Sequence, residues 1–313
     1  MTTLAFHRDA SAPESDLRLS DLSYRLLPEH RATVVAMLGG AARSLVPGRR
    51  RASSPPVLRE TVRAPSADLR RAYARWCGAG SRYASTTPPH LVCAKVTLPI
   101  VSRLTAMAPY PLLSVLNQGL RLQVHRPVPI DEPIHLEGRL VDASDDGYRA
   151  RIHSRVVVGT ASAPRAMTID AMAAVVLATR RDERRDESRV GPEFETVGRW
   201  RARASEGQTF FFLTGDFNPI HTVPSFARRT RFGGCIMHGY GAFAQIHESL
   251  ARRGADFDDI DVRFVRPLPL PSPTLTIERA IAPDDEGRVA IRLVDDAGTI
   301  YQAGHYVPKA KGR

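Results

Sequence analysis

Residues 214–222 read TGDFNPIHT, which places a carboxylate, an amide, a proline and an imidazole within six positions: Asp216, Asn218, Pro219 and His221. Gly, Asp, Asn and Pro all favour turns, so the stretch is either a surface bend or a short rigid loop that holds an acid and a base together. A carboxylate and an imidazole five residues apart can act on one substrate proton or one water only if the bend folds them onto the same side. A second candidate feature is MHG (237–239), ahead of a helical pattern in YGAFAQIHESLARR (240–253). There Gly239 offers a backbone N–H at a helix start, where the helix dipole favours negative charge.

Other chemistries lack their residues. The chain has no G-x-S-x-G elbow, P-loop or HExxH, and GYGAFA (239–244) is half a dinucleotide fingerprint without the strand and acid that should flank it. His247 and Glu248 share the helix without a metal-ligand spacing, and no metal or cofactor is expected. His238 reads as a packed residue at the helix start. His125, His135 and His153 fall on expected strands and read as ordinary.

The chain has 313 residues, 43% of them hydrophobic and 25% charged, enough for one large core or two ordinary ones. Cys77, Cys93 and Cys235 show neither a disulfide framework nor CxxC spacing, which points to a reducing, cytoplasmic setting. No apolar stretch approaches the roughly 18 residues of a membrane span. A net charge of +11 favours anionic partners, but no helix-turn-helix, zinc finger or aromatic-interleaved basic region marks nucleic-acid binding.

Four regions are expected. Residues 1–60 form an N-terminal extension and linker, with one helix over RATVVAMLGGAARSLV (31–46) followed by an exposed PGRRRASSPP. Residues 61–180 form a first unit and 200–313 a second, joined by a charged connector over 181–199 that includes much of RRDERRDESR (180–189). Alternation predicts strands at 148–158, 166–179 and 288–294. Each unit also has one helix candidate: VSRLTAMA (101–108) continuing into the next residues, and 240–253.

The units are copies of one another. QVHRPVPIDEPIHLEG from Gln123 aligns with RFVRPLPLPSPTLTIE from Arg263 at an offset of 263 − 123 = 140, matching Arg126-Pro127, Pro129 and Pro133 without a gap. The same offset sets TLPIVSRLTA (97–106) over MHGYGAFAQI (237–246). Asp216 and His221, however, fall on Trp76 and Ser81, and Gly239 falls on Pro99, which has no N–H to donate. A turn needed only for folding should survive in both copies, so the asymmetry favours chemistry in the second.

At these residues the sequence resembles the MaoC-like hydratase and dehydratase family, whose catalytic segment reads approximately [ST]-G-D-x-N-P-[IL]-H with a later H-G pair. The resemblance covers the C-terminal half well, the N-terminal half as a degenerate copy, and residues 1–60 hardly at all. It departs at Val223, where an acid is frequent, and at Tyr240, where Met is frequent, and both bear on substrate preference. The resemblance implies an α+β double hot-dog, two antiparallel sheets each wrapped on a central helix. It also implies (R)-specific hydration of 2-enoyl thioesters or the reverse dehydration. The substrate would be carried by CoA or acyl carrier protein, and a homodimer is possible. By the same carry-over Asp216 and His221 are the acid/base pair, Asn218 positions the pair or its water, and the Gly239 N–H receives the oxyanion. Alternatives are a hot-dog thioesterase, which usually has its carboxylate on the central helix, and a non-catalytic acyl-thioester binder. Pro109 and Pro111 would shorten the first helix and open room for a long acyl chain.

Overall fold

Alternating apolar and polar residues over Arg149–Gly159 place Ala150, Ile152, Ser154, Val156 and Val158 on a buried face. The same period-two logic builds a ten-stranded antiparallel sheet. The structure, a computed structural model, describes residues 17–44, 55–110, 115–178 and 191–309.

In chain order, two 3-10 turns (Leu19–Asp21 and Tyr24–His30) lead into α1 (Arg31–Ser44), then β1 (Leu58–Val62) and α2 (Ala67–Cys77). A two-residue strand β2 (Thr86–Thr87) precedes a helical run made of α3 (Pro89–Leu91), a π-turn (Val92–Val96) and α4 (Leu98–Thr105). The first unit closes with β3 (Val115–Val124), β4 (Val128–Pro129), β5 (Ile134–Asp145), β6 (Arg149–Gly159) and β7 (Met167–Val176). The second has β8 (Phe194–Trp200), α5 (Glu206–Thr214), α6 (Pro219–Thr222), α7 (Pro224–Ala227) and α8 (Gly239–Arg252), then β9 (Phe257–Phe264), β10 (Leu275–Ala280), β11 (Val289–Asp295) and β12 (Ile300–Pro308).

The sheet order β1-β5-β6-β7-β3-β9-β12-β11-β10-β8 reads the same from either edge once each strand is replaced by its copy. At the centre β3 pairs with β9, and Arg121 lies opposite Asp261, its own counterpart because 121 + 140 = 261. The internal twofold therefore passes through this pair. Arg121 also grips Asp259 with two bonds of 2.9 and 2.6 Å, which fixes the seam.

Each half wraps its sheet around a helix, and the two helices differ. Helix α8 is buried from Tyr240 to Leu250. Helix α4 stops at Thr105, so the helix expected over 101–108 and onward gives way to turn and bend over residues 106–110. The residue before a proline is pushed out of helical geometry, and Pro109 comes soon after. Pro111 lies outside the described residues, as do the charged run 180–189 and residues 47–54 of the first linker.

The expected strands at 148–158, 166–179 and 288–294 correspond to β6, β7 and β11, and the helix expected over 31–46 to α1. Two expected boundaries shift. Leu58–Val62, half assigned to the extension, pairs along β5, and Phe194–Trp200, assigned almost wholly to the connector, pairs along β10. Both are edge strands, whose exposed face masks the alternation. The extension is not a free tail either, since α1 packs on α4 and the Tyr24–His30 turn packs on α5.

Candidate active site

Helix α5 ends on Gly215, whose φ of +84° is the left-handed position that glycine fills without strain. Two residues on, Asp216 Oδ1 accepts the Asn218 N–H at 3.3 Å, and Asn218 Oδ1 in turn accepts the Ile220 N–H at 3.3 Å. Asn218 is thus the N-cap of α6, with Pro219 supplying a preset first helical residue. GDFNPIH is a helix stop, an Asx turn and a helix start. This run of local rules carries His221 back beside Asp216.

His221 Nδ1–H donates to the Ile236 carbonyl at 2.7 Å, which fixes the tautomer and leaves Nε2 as the lone-pair nitrogen. His238 Nε2–H donates to the backbone oxygen of Asp216 at 3.0 Å. The rings of His221 and His238 lie 3.9 Å apart between centroids, at 31°. His238 is therefore a buried support behind the His221 ring as well as the N-cap of α8.

Burial raises the Asp216 carboxyl above the usual carboxylate range, against the pull of His221. Burial lowers His221, with Asp216 opposing, and holds His238 well below the ordinary imidazole value. Burial thus shifts the carboxyl and the imidazole in opposite senses, each toward its neutral form. Asp216, His221 and His238 bring ligand atoms within 4.8 Å of one another, but each imidazole already donates one nitrogen to a backbone carbonyl. A second trio of this kind, His90, His247 and Glu248, lies away from the cleft.

The pair opens onto a cavity of about 280 Å³. Asp216, Asn218, His221 and Gly239 all line it, so the four sequence candidates meet in one place. Asn117, Arg149, Ala174 and Val176 come from the first unit, so the degenerate copy supplies a wall. Asp216 is the only acid among the described lining residues, whereas Arg149, Arg231 and Arg266 all stand at the cavity and are exposed.

Gly239 opens α8, where the first backbone N–H groups have no partner within the helix. A Cβ on Gly239 would collide with the Phe264 ring, so the glycine lets that ring lie against the helix start. Gln302 Nε2–H donates to the Gly239 carbonyl at 2.8 Å, and its Oε1 is buried without a partner at the cavity. Sequence reasoning missed Gln302, the cavity arginines and the stacking of His238, because β-strand and loop residues distant in sequence carry no motif.

The first copy's counterparts sit elsewhere. Trp76 is buried and donates its indole N–H to Glu206 Oε1 at 2.5 Å, anchoring the start of α5, while Ser81 is exposed.

Residues 187–282 match the family model of the MaoC like domain. This stretch, which holds the Asp216–His221 loop and runs through β10, is thus similar to a MaoC like domain. Among solved structures, HtdX of Mycobacterium tuberculosis superposes with a TM-score of 0.65 at 18% identity, over 81% of this chain and 100% of that one. A MaoC-like dehydratase from Phytophthora Capsici gives 0.65 at 16% identity, over 85% and 100%. Rv0216 of Mycobacterium tuberculosis, described as having a double hot-dog fold, gives 0.50 at 12% identity, over 82% and 97%. These identities speak for fold alone, and the chain is a double hot-dog of the α+β class. No curated protein matches the sequence. Among the described residues no helix is long and apolar enough to cross a membrane.

Proposed function

We propose that the MaoC-like half hydrates trans-2-enoyl thioesters to (3R)-hydroxyacyl thioesters and catalyses the reverse dehydration. The observation that carries this reading is the shared cavity of Asp216 and His221, with His221 Nδ1 locked on Ile236 so that Nε2 is the basic nitrogen.

Hydration needs a base for the attacking water, a proton for C2 and a donor for the charge growing on the thioester oxygen. In this mechanism His221 Nε2 takes the water proton as the oxygen adds to C3. Asp216 holds the same water and, kept protonatable by burial, delivers the proton to C2. The enolate oxygen receives the Gly239 N–H with the dipole of α8 behind it. Asn218 acts on the geometry of this pair by capping α6 rather than on the substrate alone.

The arginine-flanked, otherwise acid-poor cavity suits a carrier that brings phosphate, such as CoA or the phosphopantetheine of an acyl carrier protein. The thioesterase reading fits less well, because the carboxylate of the central helix, Glu248, is bound by His90 at 2.9 Å and Tyr83 at 2.6 Å and does not line the cavity. Loss of enoyl absorbance with crotonyl-CoA, followed by chiral analysis, tests the proposal. The expected product is the 3R alcohol, and a 3S product overturns the assignment.

A further inference from the structure

Of the 44 basic residues 41 are arginine and only three are lysine: Lys95, Lys309 and Lys311. Arginine stays protonated at any working pH, whereas lysine can become a neutral amine when buried. Lys309 sits exposed near the end of the chain in an ion pair with Asp256. Lys95 instead lies on the π-turn Val92–Val96 and is 9% exposed.

Lys95 Nζ donates to the Glu29 backbone oxygen at 2.9 Å and meets His30 Nδ1 at 3.2 Å. The other nitrogen, Nε2–H, donates to the Phe212 carbonyl at 2.8 Å, so Nδ1 is the acceptor. Nucleophile, base and a third group that orients the base stand in series, the arrangement by which a weak nucleophile is activated. Two acceptors also match the two N–H bonds of a neutral amine and leave its lone pair unused. Beside them opens a cavity of about 500 Å³, walled by Ala32, Thr33, Val62, Ala64 and Pro99. It is distinct from the site of Asp216 and His221.

We propose that Lys95 is an amine nucleophile that takes a short acyl group from an acyl thioester, with His30 as its proton acceptor. Nζ attacks the thioester carbonyl, the C–N bond forms as the C–S bond breaks, and the Nζ proton passes by way of His30 Nδ1 to the departing thiolate. The products are an amide on Lys95 and a free thiol, and no oxidant or reductant is needed. An imine with an aldehyde would require an acid to expel hydroxide, and a neutral imidazole and a peptide carbonyl supply none. Burial brings Lys95 down to about 8, and burial followed by the Lys95 cation brings His30 down to about 4, so both are neutral in mild alkali. The titratable and charged groups facing the amine are His30, Glu29 and, across the cavity, Arg63.

The location has a consequence for the other site. A Cβ on Gly215 would come within 2.8 Å of the His30 side chain, so the dyad packs directly against the residue that precedes Asp216.

The test is independent of hydration. The full chain is incubated with acetyl-CoA at pH 8, and acetyl groups on Lys95, Lys309 and Lys311 are timed by peptide mass spectrometry, in buffer and in denaturing urea. Lys95 should be modified at least tenfold faster than Lys309 in the folded chain, with the advantage gone in urea. His30→Ala, checked by its thermal melt, should slow Lys95 about tenfold and leave Lys309 unchanged. An equal or slower rate at Lys95 in the folded chain, or an advantage that survives urea, overturns the proposal.

Discussion

The carbonyl of Ile236 accepts the Nδ1–H of His221 at 2.7 Å, and this one bond joins the acid/base loop to the segment that opens α8. Ile236 N–H returns the contact by donating to the Ile220 carbonyl at 3.2 Å. The proposed base and the proposed oxyanion donor are therefore tied to one another through Ile236, which is what a site needs if both are to meet a single substrate.

The pH dependence comes from the opposed shifts of the acid and the imidazoles. His221 and His238 have lowered values, so their contribution to stability is present above the unfolded value of about 6.5 and is lost as pH falls through the folded value. Asp216 is raised, so its contribution is present below the unfolded value of about 3.9 and is lost as pH rises through the folded one. Asp216→Asn should then raise the melting temperature at pH 7 even as it removes activity. Melting scans from pH 4 to 8 check both signs, and a lower melting temperature for the mutant at pH 7 contradicts the account.

Gly239→Ala drives a methyl into the Phe264 ring. Overpacking of this kind costs about 1–3 kcal/mol. The strain falls on the first turn of α8, which carries the proposed oxyanion donor, so kcat should fall more than KM rises. Adding Phe264→Leu should recover much of the stability, and an unchanged kcat in a folded Gly239→Ala variant speaks against the oxyanion role.

Trp76 tests the degenerate copy. Trp76→Phe leaves the buried Glu206 without its indole donor, a loss of about 1–3 kcal/mol. Denaturant melts should show it, while kcat changes far less than for the loop residues. A turnover loss as deep as that of Asp216→Asn would mean the first copy still takes part in the chemistry.

The legible parts of the structure are those governed by local rules or by repetition. Gly215, Asn218 and Pro219 each obey a capping preference, so the bend that joins Asp216 to His221 could be read from residue types. The 140-residue offset gave the doubled architecture, and the sheet order with Arg121 opposite Asp261 is its three-dimensional form. Illegible were β1 and β8, edge strands with little alternation, whereas the early end of α4 agrees with the shortening expected from Pro109. Gln302 and Lys95 also escaped notice, because a buried orphan oxygen and a lysine with a histidine acceptor arise only from contacts distant in sequence. For Lys95 the scarcity of lysine beside 41 arginines was a signal available from the start.

The central claim is that Asp216 and His221 form an acid/base pair rather than a turn, and steady-state hydration of crotonyl-CoA by Asp216→Asn, His221→Gln and the double variant tests it most directly. Both substitutions keep size and most turn chemistry, so variants whose melts show them folded at the assay temperature isolate the proton transfers. Each single change should lower kcat at least about a hundredfold, the lower end of what a positioned acid or base contributes. The double variant should be far less impaired than the product of the two losses, because the groups act on one water. Near-normal hydration by either folded single variant would contradict the mechanism and leave residues 214–222 as a bend.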